Sequence, residues 1–543
     1  MASNGHEETW DFIIVGGGSA GCVLANRLSA NPDTRVLLLE AGGSDRSLFI
    51  AVPVLVLQAI TKYNWKYLAE PDESRNGLRD IWHGGRVLGG GSSISGMIYV
   101  RGHRYDYDHW SELGCDGWDY ESLLPHFKQI ETYERGVSPY RGGDGPLRSS
   151  NIRLTHPTMD AFVDAAQQAG IPSNPDYNGE SQEGVAHAQA YQRNGFRHNN
   201  GRAFIRPVKH RKNLTIVLNA LATRILFDGT RAAGVEYRHK GRTLQAHCHG
   251  EVVLSAGAIA SPKILMLSGI GPEAELRRHG IDVIFNSPDV GQNLQEHPVI
   301  TLSWGVKVPT INSDLFSVRS VKHALDYLMY RRGPFSACTA HTQAFVKNQL
   351  GGEHGWTDLQ LIFQALSYVP RIDEKTGMRT FRLSSKPGVN ASVIALHPEY
   401  KGSIGLRSAS PEDPPVIRHQ LVGSDYEMKQ LIAGARTVRE IFSQQALRSF
   451  LTEEFAPGRE VDSDQDLEAY VRRTAWRGDH PTCTCRMGGD DLSVLDPGLR
   501  VRGVTGLRVA DASIMPTLVS GNTNVPSTMI GEKASAMILE EHA

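Results

Sequence analysis

The feature that most constrains the fold is a glycine turn between a short apolar run and a helical segment near the N-terminus. The run DFIIV is followed by Gly16, Gly18 and Gly21 in the spacing G-x-G-x-x-G, then by CVLANRLSA and a second apolar run that ends at Glu40. In a strand–turn–helix unit, these glycines permit the tight turn, the close approach of a pyrophosphate and the packing of helix on strand. The N–H groups at the start of the helix then face the phosphates. The pattern therefore predicts a dinucleotide site.

Glu40 narrows the choice of dinucleotide. An acidic residue at the end of the second strand accepts hydrogen bonds from an adenosine ribose. An acid at this point favours an unphosphorylated ribose, so the pattern indicates FAD or NAD rather than NADP, without choosing between those two. We expect Ser19, Ala20 and Ala41 to lie beside the same cofactor.

Length and charge exclude several classes of protein. The chain has 543 residues and a formal net charge of −2. The length favours two or three domains, and the charge balance provides no global field that would recruit nucleic acid. Six irregularly spaced cysteines do not suggest a disulfide framework, which favours a reducing compartment.

The N-terminus lacks the basic and apolar regions of a signal peptide. The apolar run at residues 48–60 is too short to span a bilayer and contains Pro53. We interpret it as a buried or lid-like segment near the cofactor, with a membrane-surface contact as the alternative. The sequence thus predicts a cytoplasmic protein with no transmembrane segment and no nucleic-acid partner.

Three further stretches indicate the flavin. They are GGRVLGGGSSISGMIYVRG at residues 84–102, GAIASPKILMLSGIG at 257–271 and GLRVADASIMPTLVSGNTNVPSTMIGEKAS at 506–535. Together with the first glycine turn, they resemble the glucose–methanol–choline (GMC) family of FAD-dependent oxidoreductases from about residue 10 to 540. These internal signatures argue against a nicotinamide dehydrogenase. Within the family, the segments NPDYNGESQEG and HPTCTCRMGGDDLSVLDP are most similar to those of bacterial sorbose-dehydrogenase and alcohol-dehydrogenase-like members.

The resemblance implies a mixed α/β fold with two domains. A Rossmann-like FAD-binding domain would comprise residues 8–155, 210–305 and 480–543. A substrate domain, built on an antiparallel sheet covered by helices, would comprise 156–209 and 306–479. The residue pattern agrees, since 213–239 alternates like hairpin strands and 306–479 mixes strand-like with helical segments.

The resemblance also implies a set of cofactor contacts. Trp65 is either a cover for the flavin or adenine, or a plain core aromatic. The remaining expected contacts, running from the adenosine half to the flavin ring, are Ala222, Ala256, Arg86, Val87, Gly90, Gly91, Ser95, Gly96, Met97, Ile98, Asp511, Ala512, Asn524, Val525 and Pro526.

Two positions depart from the family pattern. Ser95 stands where members usually carry Asn, close to the expected reactive edge of the flavin, so an amide donor is lost. Ile94 stands where some members tether FAD through a histidine. We therefore expect FAD to be bound non-covalently.

The segment GDHPTCTCRMGGDD, residues 478–491, contains the candidate catalytic residue. Cys483 and Cys485 have no second Cys or His pair nearby, as a zinc site would need, and they do not form a C-x-x-C redox motif. No metal site is expected. His480 remains, and a neutral imidazole is suited to remove an alcohol proton. In the family, the histidine of this motif is paired with a His or Asn further along the chain, which the resemblance places at Asn524.

The sequence thus predicts an FAD-dependent alcohol oxidoreductase that transfers hydride from an alcohol carbon to the flavin and yields an aldehyde or ketone. The alternatives are a flavin-containing lyase without redox chemistry and a fatty-acid photodecarboxylase on the same scaffold. No residue pattern identifies the substrate, which could be a sugar, a polyol or another primary alcohol. The acceptor, O₂ or a quinone-type molecule, is likewise open, as is a homo-oligomeric state.

Overall fold

The structure, a computed structural model, describes residues 9–315, 317–348, 350, 355–373 and 378–542. Its first sheet has seven strands and grows from Thr9–Val15, which lies at the centre. Parallel neighbours flank this strand, and an antiparallel hairpin extends one side. The path is Leu214–Leu218, Val36–Glu40, Thr9–Val15, Arg242–Leu254, Arg231–His239 and Ala220–Asp228, with Leu507–Val509 also paired to Arg242–Leu254.

The parallel strands at the centre of this sheet are apolar on both faces. Every residue of Val36–Glu40 is buried, and Ile13 and Ile14 of the neighbouring strand are fully buried. Such continuous apolar runs are typical of parallel strands that are covered on both sides. The helices Ser19–Leu28 and Asn524–Glu541 pack against each other, and the first of them contacts Thr9–Val15 and Val36–Glu40.

The second sheet is antiparallel and also has seven strands. Its path is Leu451–Ala456, Pro298–Val306, Gly388–Ala395, Leu359–Gln364, Thr342–Val346 and Gly184–His187, with Trp476–Arg477 paired to Pro298–Val306. One face is apolar and packs against the helices Pro157–Gln168 and Asp425–Ser443. The opposite face carries polar side chains and is described below with the site.

The remaining elements connect and cover these sheets. The other helices are Leu48–Ala51, Val56–Lys62, Arg104–Glu112, Tyr120–Ile130, Ala260–Leu267, Glu273–Arg278, Ile311–Leu315, Arg319–Tyr330, Gln445–Arg448 and Asp464–Thr474, with short 3₁₀ turns at Pro53–Leu55, Glu73–Arg75, Gly90–Ser93, Pro334–Ser336 and Ala512–Ile514 and a π turn at Gly201–Ile205. The smaller strand sets are Tyr67–Leu68 with Ile81–Trp82, Glu131–Tyr133 with Leu147–Asn151 and Gln189–Ala190, Gln192–Arg193 with Phe196–Arg197, Ile270–Gly271 with Phe285–Asn286, Tyr368–Asp373 with Met378–Leu383, and Ser403–Gly405 with Val416–Arg418.

The predicted mixed α/β fold, with an antiparallel sheet and helices beside a Rossmann-like part, is confirmed. The predicted hairpin within 213–239 and the strand-like and helical segments of 306–479 also form. The second predicted FAD-binding segment extends to residue 305. In the structure, however, the strand Pro298–Val306 already belongs to the second sheet. The division into two domains remains a prediction.

The apolar run at residues 48–60 folds into short helical turns rather than one long helix. Ile50 and Ala59 are buried, whereas Leu48 and Leu57 are 73% and 61% exposed. The segment is thus partly buried and partly a surface. Within the described ranges, no helix has the length and apolar character needed to cross a membrane.

Candidate active site

The first glycine turn has the geometry of a dinucleotide cradle. Gly16 has a φ of +102°, and a Cβ added there would lie 2.4 Å from the Ser255 carbonyl oxygen. A Cβ on Gly21 would lie 1.9 Å from the Gly16 carbonyl oxygen, so the helix and strand need glycine to pack this closely. At Gly18, by contrast, the nearest atom would be 3.7 Å away. The turn is therefore closed toward the protein and open on one side.

Glu40 lies directly beneath this turn. Its carboxylate accepts hydrogen bonds from the backbone N–H of Gly17 at 2.8 Å and of Gly42 at 2.6 Å. Burial raises the pKa of Glu40 to about 7, although these two N–H donors lower it. Each carboxylate oxygen has a second lone pair that can accept a ribose hydroxyl. Ala41 follows Glu40 in the same turn.

The second glycine segment folds onto the first, although the two are far apart in sequence. The Gly89 N–H donates to the Gly17 carbonyl oxygen at 2.7 Å. A Cβ on Gly90 would lie 2.7 Å from the Cα of Gly18, whereas one on Gly91 would meet nothing within 4 Å. The predicted contacts Gly90 and Gly91 therefore border the open side of the first turn.

Arg86 and Trp65, both predicted contacts, lie beside these turns. The guanidinium of Arg86 lies over the Trp65 ring at 4.5 Å, and Trp65 stacks on Tyr67 with ring centroids 5.7 Å apart. Val87 pairs with Gly43, the residue that follows the Glu40 turn. The arginine thus reaches the aromatic stack, and its neighbour is tied to the first turn.

The C-terminal segment completes the cradle. The Asp511 carboxylate accepts hydrogen bonds from the Gly257 N–H at 2.9 Å and the Ser261 hydroxyl at 2.6 Å. The Cys483 N–H donates to the Ala512 carbonyl oxygen at 3.3 Å, which joins this segment to the loop of His480. Of the other predicted contacts, Ala256 is next to Gly257, while Ala222 lies on the hairpin strand Ala220–Asp228.

Two helices begin at the cradle without a capping side chain. Ser19–Leu28, which contains Ala20, and Asn524–Glu541, which begins Asn524, Val525 and Pro526, have no side-chain N-cap bond and no acidic residue in the first turn. The free N–H groups at such ends bind anionic or carbonyl oxygens. The Asn524 Oδ1 accepts from the Ser19 hydroxyl at 2.6 Å, but its buried Nδ2 has no partner.

Ser95, which replaces the usual Asn of the family pattern, is not unpartnered. Its hydroxyl is hydrogen-bonded to the hydroxyl of Tyr191, and its carbonyl oxygen accepts from the buried Arg197 at 2.7 Å. Neither Tyr191 nor Arg197 belongs to a motif that would mark it in the sequence. Ile94 is buried in a small apolar cluster, so no nucleophile stands at the position of the family's histidine tether.

The predicted contacts after Ser95 lie where the backbone turns toward the second sheet. A Cβ on Gly96 would lie 1.9 Å from Thr339 Oγ1, and Met97 has a φ of +66°. Ile98 forms a bridge with Ala190. Ala190 belongs to a smaller strand set, so the stretch reaches the second sheet through Thr339, whose carbonyl oxygen accepts from Gln364 Nε2.

His480 is held by the neighbouring segment 295–297. Its backbone N–H donates to both carboxyl oxygens of Glu296, at 2.8 and 2.9 Å. Gln295 and Thr482 exchange backbone hydrogen bonds of 3.3 and 3.1 Å on the other side of the loop. The backbone of His480 is thus fixed independently of its ring.

The ring of His480 belongs to a hydrogen-bond relay that starts at a backbone carbonyl. His297 Nε2 lies 2.9 Å from the Leu396 carbonyl oxygen, and His297 Nδ1 lies 2.9 Å from His480 Nδ1. Because the carbonyl only accepts, neutral His297 carries its proton on Nε2, so its Nδ1 accepts from His480 Nδ1–H. His480 Nε2 is therefore the unprotonated nitrogen.

Burial keeps both imidazoles neutral. It lowers the pKa of His480 to about 4, against an opposing effect of Asp479, and it lowers the pKa of His297 well below its ordinary value. Asp479 is paired with Arg477 and His83. Near neutral pH, His480 thus presents a free lone pair on Nε2.

Asn522, and not Asn524, completes the pair with His480, which corrects the predicted pairing. Asn522 Nδ2 lies 2.9 Å from His480 Nε2, while Asn524 lies at the helix start against Ser19. The physical reason is the start of the helix at Asn524, which turns that side chain toward the first glycine turn. The relay continues from Asn522 Oδ1, which accepts from Gln360 Nε2 at 3.2 Å.

The cysteines of the same segment are buried away from solvent. Cys483 and Cys485 are fully buried, and burial raises the pKa of both thiols, that of Cys483 to about 12. All six cysteines are free and buried. Within the residues that the structure describes, no cluster of three or more His, Cys, Asp or Glu side chains could hold a metal ion.

The cradle fits FAD. The open side of Gly18 and Gly91, the two uncapped helix starts and the unpaired Nδ2 of Asn524 offer N–H groups and space for a pyrophosphate and a flavin ring. Asp511 and Glu40 add carboxyl groups at its sides. The donor set matches the oxygens and ring edge of a flavin dinucleotide rather than a metal.

Comparison with known proteins is consistent with this cradle. A family profile described as GMC oxidoreductase matches residues 10–299, and a second of the same description matches residues 398–531. A mitochondrial choline dehydrogenase of Homo sapiens is 40% identical over 552 residues, covering 99% of this chain and 91% of that protein. An alcohol dehydrogenase [acceptor] of Pseudomonas putida is 40% identical over 539 residues, covering 98% and 96%.

Solved structures show the same architecture. Formate oxidase from Aspergillus oryzae RIB40 aligns with a TM-score of 0.90 and 28% identity, covering 100% of this chain and 99% of that one. Pyridoxine 4-oxidase from Mesorbium loti aligns with a TM-score of 0.88 and 27% identity, covering 98% and 100%.

Proposed function

Because the chain belongs to the GMC oxidoreductase family and is an FAD-dependent alcohol oxidoreductase, we propose that His480 is its general base. His480 Nε2 takes the hydroxyl proton of the alcohol while the C–H bond on the same carbon breaks. The O–H and C–H bonds are lost, and a carbonyl double bond forms. When bound, FAD would supply the acceptor for the hydride of that carbon, and O₂ or a quinone-type molecule would be the final acceptor of the two electrons.

Asn522 holds the substrate oxygen in this proposal. In the free protein its Nδ2–H donates to His480 Nε2. The alcohol hydroxyl replaces this bond, donating to His480 Nε2 and accepting from Asn522 Nδ2. The oxygen is thus placed between base and donor, which orients the C–H bond and stabilises the charge that develops on oxygen.

His297 determines which nitrogen of His480 acts. Its Nδ1 accepts from His480 Nδ1–H both before and after proton transfer, so the ring does not need to turn. The cation that forms on His480 keeps this partner, and the carboxylate of Asp479 favours the charge. Proton uptake therefore occurs in a position that is already organised for it.

We propose that the first sheet and the two glycine segments hold FAD, and that the second sheet forms the substrate side. Gly16, Gly18 and the start of Ser19–Leu28 hold the pyrophosphate, and Glu40 binds the ribose. Asn524 and its helix start bind the pyrimidine edge. With Ile94 at the tether position, FAD is held without a covalent bond.

The observation that carries the proposal is the anchored relay from Leu396 to Asn522, because it leaves one unprotonated nitrogen beside one amide donor. The test is the absorption spectrum of the purified holoenzyme, recorded anaerobically in the dark with sorbose, glycerol, benzyl alcohol, octanol and choline in turn. Bleaching of the flavin bands by one of them is expected. Flavin bands that no alcohol bleaches would favour an idle-flavin lyase or a photodecarboxylase, and admission of air after bleaching separates oxidase from dehydrogenase.

The substrate class, the location and the oligomeric state are narrower proposals. The likeness to choline and alcohol dehydrogenases supports an alcohol as the substrate. A cytoplasmic location and a homo-oligomer are retained as predictions.

A further inference from the structure

The second sheet has one buried face that is polar rather than apolar. Along Leu359–Gln364, alternate residues share a face, and Gln360, Ile362 and Gln364 point away from the helices that cover the apolar side. Asn390 lies opposite Gln364 in the neighbouring strand. Gln360 and Asn390 are fully buried and Gln364 is 7% exposed. Amides in such a position are unusual, since buried faces of sheets are ordinarily apolar.

This face borders the candidate active site at both ends. Gln360 Nε2 donates to Asn522 Oδ1, the partner of His480. Gln364 Nε2 donates to the carbonyl oxygen of Thr339, whose own side chain closes on Gly96 in the second glycine segment. The amides therefore extend from the proposed base to the proposed flavin edge.

Three amide oxygens on this face have no partner. They are Gln360 Oε1, Gln364 Oε1 and Asn390 Oδ1. The relay fixes the Gln360 amide, because Asn522 Nδ2 faces His480 and so Asn522 Oδ1 must accept from Gln360 Nε2. A buried unpaired acceptor costs free energy, so these oxygens need a donor from a bound molecule or from ordered water.

The face also lacks charge. Among the described residues, the side chains of Asn522, Gln360 and Gln343 form hydrogen bonds only with one another and with His480, and Gln343 Nε2 has no partner. The one charged group that affects the pKa of His480 is Asp479, which is already paired with Arg477. The carboxyl group of Glu296 beside the His480 backbone is fully buried, and burial raises its pKa well above the ordinary value, which favours its neutral form. A substrate with a fixed positive charge would therefore lose its hydration on binding and would find no anion beside this relay to compensate for the loss.

We propose that this face is a substrate subsite for an uncharged alcohol that carries further hydroxyl groups, a polyol or a sugar. The inference rests on the proposed function, since it assigns the substrate class of the same site. One hydroxyl of the substrate is oxidised at His480, and the others donate to Gln360, Gln364 and Asn390. Choline, named for several relatives of this chain, has one hydroxyl and a trimethylammonium group without N–H donors, so it satisfies none of these acceptors.

Discrimination by such a site is expected to be strong. A site built to hydrogen-bond a substrate hydroxyl rejects an analogue that lacks it, because the buried acceptors then remain unpaired. The proposed face leaves three acceptors unpaired when a simple alkanol binds. We expect kcat/KM for flavin reduction to be at least roughly tenfold higher with sorbitol than with 1-propanol or choline.

The test compares substrates and variants on the holoenzyme. Anaerobic flavin bleaching is followed with sorbitol, glycerol, 1-propanol and choline in the wild type, in Gln364→Met and in Gln465→Met, a matched change at an exposed glutamine of the helix Asp464–Thr474. Gln364→Met removes an acceptor without touching His480 or Asn522. It is expected to lower the ratio of kcat/KM for sorbitol to that for 1-propanol by roughly tenfold. Gln465→Met is expected to leave that ratio unchanged.

Asn390→Leu is the second variant, used if Gln364→Met fails to fold, and it should lower the same ratio. A wild type that prefers choline or 1-propanol, or a ratio that neither variant changes, would overturn the subsite. That outcome differs from failure of the proposed function, in which no alcohol bleaches the flavin at all. Water alone on the amide oxygens would also appear as an unchanged ratio.

Discussion

His297 Nδ1 accepts a hydrogen bond from His480 Nδ1 at 2.9 Å, while its Nε2 donates to the Leu396 carbonyl at the same distance. The two histidines are distant in sequence, yet the backbone of one segment holds the other. The main-chain carbonyl of Leu396 thus determines the tautomer of His480, which lies two hydrogen bonds away through His297. Such a partner positions a base without touching the substrate.

The first prediction concerns His297 as a positioning residue. In His297→Phe, the acceptor for His480 Nδ1–H is lost, so both tautomers of His480 become accessible. We expect kcat for flavin reduction to fall about ten- to a hundredfold with little change in KM, because the substrate contacts remain. His297→Gln offers both an acceptor and a donor and should recover part of the loss. Equal losses in the two variants would indicate a merely structural role.

The second prediction separates Asn522 from Asn524. Asn522→Ala removes the donor beside His480 and should slow flavin reduction by roughly a hundredfold, while the protein still retains FAD. Asn524→Ala removes the bond to Ser19 and the amide at the helix start, so it should weaken FAD binding by about tenfold. Stopped-flow bleaching measures the first effect and the fluorescence of released flavin the second. The reverse pattern would restore Asn524 as the partner of His480.

The third prediction concerns acid stability. Burial lowers the pKa of His341 to about 3, while its Nδ1 accepts from the Ala365 N–H at 2.8 Å. In the unfolded chain this group binds its proton near pH 6.5, so unfolding takes up a proton below that pH. The free energy of unfolding therefore falls as pH decreases from 6.5 toward 3, by about 1.4 kcal/mol per unit for this group.

The measurement is the dependence of Tm on pH in the wild type and in His341→Gln. Buried carboxyls such as Glu40, with a pKa of about 7, act in the opposite direction, so the informative quantity is the difference between the two proteins. The variant should lose less Tm between pH 6.5 and 4. His210→Gln, at an exposed position, should follow the wild type. Parallel curves for all three proteins would show that His341 does not carry this effect.

The fourth prediction concerns the attachment of FAD. Ile94 is buried and offers no nucleophile at the tether position. Acid precipitation of the holoenzyme should therefore release all of the flavin into the supernatant, and the pellet should be colourless. Flavin that stays with the pellet would identify a covalent bond elsewhere in the cradle.

The glycine turn was predictable because its structure depends on a short spacing along the chain. The turn needs only Gly16, Gly18 and Gly21, and their conformations are local. By contrast, the sequence does not predict that Asn522, rather than Asn524, contacts His480. The two residues are neighbours in one motif, and only the start of the helix decides which side chain faces His480.

His297 and Tyr191 were missed for a different reason. Their roles depend on contacts between distant segments, and a single sequence has no spacing that records them. The polar face of the second sheet did leave a signal. In LQLIFQ, the glutamines Gln360 and Gln364 lie an even number of residues apart, which places both on one face of a strand.

The central claim is that His480 Nε2 takes the hydroxyl proton, and the most direct test is anaerobic stopped-flow bleaching of the flavin in the dark across pH. His480→Gln should keep its flavin spectrum and bleach about 10²- to 10⁴-fold more slowly with the best alcohol, while His210→Gln matches the wild type. Since His480 has a pKa of about 4, the wild-type kcat/KM should pass through pH 6.5 without a decline and fall only near pH 4. A His480→Gln protein that bleaches at the wild-type rate would contradict the account.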